Sequence, residues 1–168
     1  MKTTISFISI VLTGLSAGLF YAWAVSVIPG TRRISDASYL ETMQTINRAI
    51  LNPAFFLVFF GALIFDVWGS LLEYKAGIGL SFWLSLSATL VYLLGTFGIT
   101  ALGNVPLNET LDAIDLTRLD SQGMLNARKA YEARWNLLNT VRTGASIMAF
   151  LLLLWASRVP GTSQTTFI

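Results

Sequence analysis

The 168-residue sequence has no cysteine and no histidine, and only 12% of its residues carry charge. Without thiolates or imidazoles it cannot build thiolate zinc sites, Cys-bound iron–sulfur clusters, His-ligated haem, disulfide relays or imidazole acid–base chemistry. Any chemistry must use carboxylates, Arg, Lys, Tyr, Ser, Thr or Asn. The missing cysteine names no compartment, because membrane proteins of any compartment can do without disulfides. The charged fraction is about half that of an ordinary soluble domain, too little to cover a water-facing surface, while 54% of the chain is hydrophobic. The net charge of +2, from 11 basic and 9 acidic residues, is small and dispersed. That excludes a nucleic-acid partner, which requires a basic patch or stripe. Internal repeats and low-complexity runs are also absent.

What is present is a set of long apolar runs. Between Lys2 and Arg32 lie 29 uncharged residues, and between Lys75 and Glu109 there are 33; each holds the ~20 apolar residues of a spanning helix. Residues 53–72 (PAFFLVFFGALIFDVWGSLL) form a further run interrupted only by Asp66, with Pro53 suited to a first helical turn. Residues 137–157 form a fourth, with Arg142 near its start and an uninterrupted apolar stretch only from Gly144 to Ala156. That stretch is short for a lipid-exposed helix, so the first half of this span is expected inside the bundle. The predicted fold is an all-α membrane protein, a four-transmembrane-helix bundle with amphipathic helices in its two long connections. One domain is expected at 1–159, with spans at about 5–29, 53–72, 80–102 and 137–157 and a disordered tail at 160–168.

A signal-peptide reading of the first run fits poorly. The run exceeds the usual h-region of about 7–15 residues, and Tyr21 and Trp23 crowd the small residues of a cleavage site. Span 1 carries Gly14, Gly18, Ala22 and Ser26 at four-residue intervals. Such a stripe either admits another helix at close range or reflects ordinary small-residue usage in a membrane helix.

Four spans put both termini and the 73–79 turn on one side and the connections 30–52 and 103–136 on the other. The first side has Lys2, Lys75 and Arg158; the second has Arg32, Arg33, Arg48, Arg118, Arg128, Lys129, Arg134 and Arg142. By the positive-inside rule the long connections are cytoplasmic. The expectation is an integral protein of the inner or plasma membrane with both termini on the non-cytoplasmic side. Within the second connection Met124, Tyr131 and Trp135 share one helical face. A helix running from there through span 4 (122–157) would be about 54 Å long, far longer than a hydrocarbon core of roughly 30 Å, and must project into water.

The topology gathers three polar stretches at one membrane face: Asn47, Arg48 and Asn52 before span 2; Asn104 and Asn108 after span 3; Trp135, Asn136, Asn139 and Arg142 at the start of span 4. Trp135, Asn139, Arg142 and Ser146 are spaced four, three and four residues apart and share a helix face. Tyr92, Thr96, Thr100 and Asn104 recur every four residues and form a polar stripe descending into the bundle. Capping and headgroup contacts would explain any one of these residues. An Arg inside a span, however, costs roughly 2.5–3.5 kcal/mol at the helix centre, less near the interface, and usually has a partner or a task. Asp66 lies about 20 Å along its helix from Pro53, away from this cluster and nearer the short turn; a structural hydrogen bond and a proton relay are both open for it.

The stretches MQTINRAILNP (43–53), ITALGNVPLNETL (99–111) and YEARWNLLNTVRTGAS (131–146) resemble the DUF1772 family of small membrane proteins, which includes anthrone oxygenases of fungal polyketide pathways. The resemblance covers almost the whole chain, from span 1 with its SVIPG exit (26–30) to span 4, and its NVPLN and WNxxNxxR motifs are fairly specific. It implies an oxygenase that converts an activated phenolic ketone such as an anthrone to a quinone with O₂, without metal or flavin. The composition permits this, because the anthrone carbanion can reduce O₂ directly; the protein then supplies a base, an enolate-stabilising group and a dry pocket. On this reading Arg142, supported by Asn139 and Asn104, holds the enolate oxygen. Arg48 with Asn47 and Asn108 holds a second oxygen or the phenols, Trp135 stacks on the rings, and Thr100 and Tyr92 line the binding site. Glu109 and Glu132 are the candidate bases, or an Arg-acidified substrate needs only water; no cofactor and no metal are expected.

A different class of function stays open: a non-enzymatic membrane module that binds a lipid or quinone or a partner protein. A small transporter is a third reading, weakened by the lack of an inverted repeat. The expected partners are an aromatic or quinone-like small molecule and membrane lipids, with a homo-oligomer left open. A closed apolar pocket under the asparagines would favour the oxygenase, and asparagines open to the interface would favour the headgroup binder.

Overall fold

The computed structural model describes residues 1–159; the tail expected at 160–168 lies outside the described residues. Five helices follow in order: α1 Lys2–Thr31, α2 Asp36–Ala49, α3 Pro53–Ala76, α4 Leu80–Asp112 and α5 Ser121–Ala156, with a 3₁₀ turn at Leu116–Arg118 before the last. Among the described residues there is no strand. Local chemistry fixes the boundaries. Ser35, Asn52 and Asp120 each accept the backbone N–H three residues on, capping α2, α3 and α5, and Pro53 takes the first turn of α3, where its missing N–H costs nothing. Gly77, at φ 134°, turns the chain after α3 in a backbone region that residues with a Cβ rarely enter.

Helices α1, α3, α4 and α5 are each long and apolar enough to cross a membrane. The protein is an all-α, integral membrane protein built on a four-transmembrane-helix bundle. The ends nearest the termini meet through the Lys2–Glu73 ion pair (2.8 Å) and the Ser81 hydroxyl donating to the Ala156 carbonyl (3.3 Å). At the opposite end α2 packs against the projecting halves of α4 and α5. Two cores result. Leu12, Ala62, Ala88, Tyr92, Ala149 and Leu153 pack between the spans. Tyr39, Leu40, Met43, Leu111, Leu116, Tyr131 and Trp135 pack in the cap formed by the connections, with Met124 against them. The apolar face expected on 122–136 therefore buries against α2 and α4.

The helix that carries span 3 runs on beyond residue 102: α4 continues through Pro106 to Asp112. Both α1 and α4 widen into π-helical turns, at Trp23–Val27, Tyr92–Gly98 and Thr100–Asn104. Two of these end two residues before a proline, Pro29 or Pro106. A proline in an α-helix clashes with the carbonyl four residues back and removes its hydrogen bond. Here those carbonyls belong to Val25 and Leu102, inside the widened turns, which let the helix pass the proline rather than end.

Small and polar side chains set the helix contacts. A Cβ on Gly95 would lie 2.5 Å from the Ala145 Cβ, so α4 and α5 touch there almost backbone to backbone. The small-residue stripe of α1 is mostly unused: Gly14 meets Phe150, but Gly18, Ala22 and Ser26 are exposed. The buried face of α1 instead presents Ser9, Thr13 and Ser16. Ser9 and Thr13 donate to the fully buried Asp66 (2.5 and 3.1 Å), joining α1 to α3, and Ser70 and Thr89 hydroxyls 2.8 Å apart join α3 to α4. Asp66 has the structural hydrogen bonds that were one of its two expected roles.

Candidate functional site

The site begins with α5. Trp135, Asn139, Arg142 and Ser146 are all buried on one face, as their spacing requires. From α4, Thr96 and Asn104 are buried and Thr100 is half-buried. In an α-helix a four-residue step overshoots a full turn by about 40°; the wider π turns offset that drift and hold the stripe on one side.

These faces meet in a cleft of about 70 Å³ below α2. Phe20 and Trp23 of α1, Asn47 of α2, Leu51, Phe55 of α3, Thr100, Asn104, Val105 and Asn108 of α4, and Trp135 and Arg142 of α5 line it. Adjoining it toward the cap is an outer cleft of about 320 Å³, lined by Asn47, Arg48, Leu51, Val105, Asn108, Glu109, Asp112 and Ala113. Asn47, Leu51, Val105 and Asn108 line both and make up what we term the neck. The three stretches from distant parts of the sequence thus converge on one place.

Arg142 is 6% exposed, and its Nε and Nη2 both donate to Asn139 Oδ1 at 3.1 and 3.0 Å. Its guanidinium lies over two aromatic faces, Phe20 at 4.5 Å and Trp135 at 5.0 Å, contacts of about 0.5–2 kcal/mol each. Among the described residues no carboxylate forms an ion pair with it. Beside it, both side-chain heteroatoms of Asn104, the Nδ2 of Asn139 and the hydroxyl of Thr96 are buried with no partner among the described residues. An unmet buried polar group costs about 1–3 kcal/mol. Asn104, which lines the cleft with Arg142, and Asn139, which is bonded to it, put such groups next to a cation that has no ion pair among the described residues, an expensive arrangement.

A second network orients the neck. Asn47 Nδ2 donates to the Tyr131 hydroxyl (3.0 Å), which donates to Asn108 Oδ1 (2.8 Å); Trp135 Nε1 donates to the same oxygen (2.9 Å). An amide oxygen accepting two bonds leaves its NH₂ as the group on offer. Arg142 and the Asn108 NH₂ thus offer donors to the inner cleft, Asn104 offers both an NH₂ and an oxygen, and no carboxylate lines it among the described residues.

Other predicted residues take different places. Arg48 is exposed, pairs with Asp112 at 2.6 Å, and lines only the outer cleft, as does Glu109. Tyr92 sits deeper in the bundle, its hydroxyl 2.9 Å from that of Ser16 and donating to the Phe59 carbonyl at 3.2 Å, and it does not line either cleft. Glu132 accepts from Arg128 Nε (2.7 Å), and Arg128 also ties α5 to Asp36 and to the carbonyls of Thr31 and Ile34. Arg128 stacks over Tyr39 at 4.4 Å. Burial pushes the Tyr39 hydroxyl well above its usual range, and the charge of Glu132 adds to this while Arg128 opposes it. Glu132 is thus a clasp in the cap and lines neither cleft. Phe20, Trp23, Phe55 and Tyr131 had no sequence signal as site residues, except that Tyr131 shares the amphipathic face of Trp135.

The anthrone oxygenase family model matches residues 43–152. The chain belongs to the anthrone oxygenase family. The matched region contains all of the polar residues of the inner cleft, while two aromatic wall residues, Phe20 and Trp23 on α1, fall outside it. Neither a curated protein nor a solved structure matches the chain.

Proposed function

We propose that this protein is a membrane-embedded, cofactor-independent oxygenase of the anthrone oxygenase type, oxidising an activated phenolic ketone to a quinone with O₂. The observation that carries the reading is Arg142, buried without a carboxylate and set between aromatic rings beside the unpartnered amide of Asn104. Such a site favours negative charge developing on an oxygen of a flat, apolar molecule. The reaction balances without further reagents. The CH₂ between the rings loses a proton, the carbanion adds O₂ and regains a proton as a hydroperoxide, and loss of water leaves the carbonyl.

The inner cleft is smaller than the roughly 300–1,000 Å³ of ordinary ligand pockets, whereas the outer cleft of about 320 Å³ falls in that range. A three-ring substrate with its acidic edge at Arg142 and Asn104 would extend through the neck, passing Asn108. Arg48 and Glu109 would meet its far end, where Glu109 or water would take the proton. Asn139 would hold Arg142 in place, Thr100 and Asn47 would flank the ligand, and Trp135 would supply an aromatic face. Tyr92 would brace the helices behind the site. We place the protein in the inner or plasma membrane with the cleft end cytoplasmic and both termini on the other side, following the Lys and Arg bias.

The test is to incubate purified protein with emodin anthrone under O₂ in the presence of a chelator and follow quinone formation. Turnover above the protein-free rate is expected. Tight binding of the anthrone with no turnover would instead favour a membrane module that binds aromatic or quinone-like molecules.

A further inference from the structure

Among the described residues the inner cleft is lined by one cation and by no base. Of the elements packed around it, α1, α2 and α3 contribute no titratable side chain to its lining, α4 contributes none, and α5 contributes only Arg142. Tyr131 stands behind Asn108, and Arg48, Glu109 and Asp112 belong to the outer cleft, where Arg48 and Asp112 are paired. The oxygen of Asn139 is consumed by Arg142 and that of Asn108 by Tyr131 and Trp135. What these three side chains have left to offer are N–H groups and a full positive charge.

Resting on the aromatic-ligand reading above, we propose that the cleft selects its phenolic ligand in the ionised form, with Arg142, Asn104 and Asn108 drawing the phenol or enol into its anion. The O–H bond breaks, its proton passes to water in the outer cleft, and the electron pair stays on the oxygen that the donors hold. A cation in a low-dielectric site stabilises an anion far more than it does in water, and it favours the charged form of any acid beside it. Substrate acidity, rather than a dedicated side-chain base, then determines which molecules react. Neutral quinones and O-methylated analogues should be poor ligands, because they leave the guanidinium uncompensated.

The probe is 1,8-dihydroxyanthraquinone, which resembles the product, does not react further with O₂, and changes visible absorption when a phenol ionises. Detergent-solubilised protein is titrated with it across pH, with 1,8-dimethoxyanthraquinone as the non-ionising control. Bound probe should show the phenolate spectrum, with its ionisation midpoint about one pH unit or more below that of the free dye, a tenfold shift or larger in acidity. Arg142→Gln should abolish the shift, and Asn104→Leu, which removes two donors but leaves the charge, should reduce it. The dimethoxy compound should bind at least tenfold more weakly. Binding with the phenol spectrum, unchanged by either substitution, overturns the proposal while leaving the aromatic-ligand reading standing; no binding of either anthraquinone overturns both.

Discussion

Asn108 shows how much a single side chain determines at this site. Its oxygen accepts from Tyr131 and Trp135, and its NH₂ is left for the cleft. Asn108→Asp keeps both acceptor bonds, removes the donor and adds a negative charge that repels an anionic ligand, and the protein should stay folded. Ligand affinity should fall roughly 10- to 100-fold, the worth of a hydrogen bond to a charged group, as dye titration would show. Equal affinity in this variant would mean that the neck does not touch the ligand. Arg142, Asn139, Trp135 and Asn104 were legible in the sequence because a polar residue within an apolar span stands out and because helical spacing then puts such residues on one face. Phe20, Trp23 and Phe55 were not, since an aromatic residue in an apolar span reads the same whether it faces lipid or a cation. Arg48, Glu132 and Tyr92 stood out equally, but Arg48 and Glu132 found ionic partners and Tyr92 a hydroxyl and a carbonyl. Sequence spacing cannot choose among partners on other helices.

The helices owe their geometry to a few small or polar contacts that composition makes possible and only packing selects. Gly95→Ala should force α4 away from α5, because the added Cβ meets Ala145 at 2.5 Å; overpacking of this kind costs about 1–3 kcal/mol. Gly18→Ala has nothing within 4 Å to meet and should be neutral or stabilising by up to about 1 kcal/mol from helix propensity. Melting curves of the two variants in one detergent would compare them, and a greater loss for Gly18→Ala would refute the packing described for these helices. Asp66 offers a parallel contrast. Asp66→Asn still accepts from Ser9 and Thr13 and should melt near the parent temperature, whereas Asp66→Ala orphans both hydroxyls and should lose about 1–2 kcal/mol, the upper range for interhelical bonds in membranes. The π turns were not legible beforehand. Pro29 and Pro106 marked places where a helix has difficulty continuing, and the sequence reading let the spans end beside them. The structure carries both helices through by widening the turn, which extends α4 far enough to bring Asn108 to the cleft.

For the whole molecule, two uncharged runs and two apolar runs interrupted by Asp66 or Arg142 were enough to define four spans and to bring three distant stretches to one end. Hydropathy reports which segments avoid water, and topology follows from their number. It does not report the second core, in which α2 closes over the end of the bundle and shelters the inner cleft. Tags at residue 1 and residue 168 should report the same compartment, and a tag near Gln122 the opposite one; termini on opposite sides would dismantle the cleft. The central claim is that the buried, unpaired charge of Arg142 serves the reaction. The most direct test measures quinone formation and melting temperature on one preparation of Arg142→Gln, with Arg158→Gln as the control. Loss of a donor that acts at a developing oxyanion lowers turnover by about 10²- to 10³-fold. That loss is expected in Arg142→Gln with the melting temperature held or raised, because removing a buried charge relieves its desolvation. Parent-level turnover per folded molecule in Arg142→Gln, or a comparable loss in Arg158→Gln, would contradict the account.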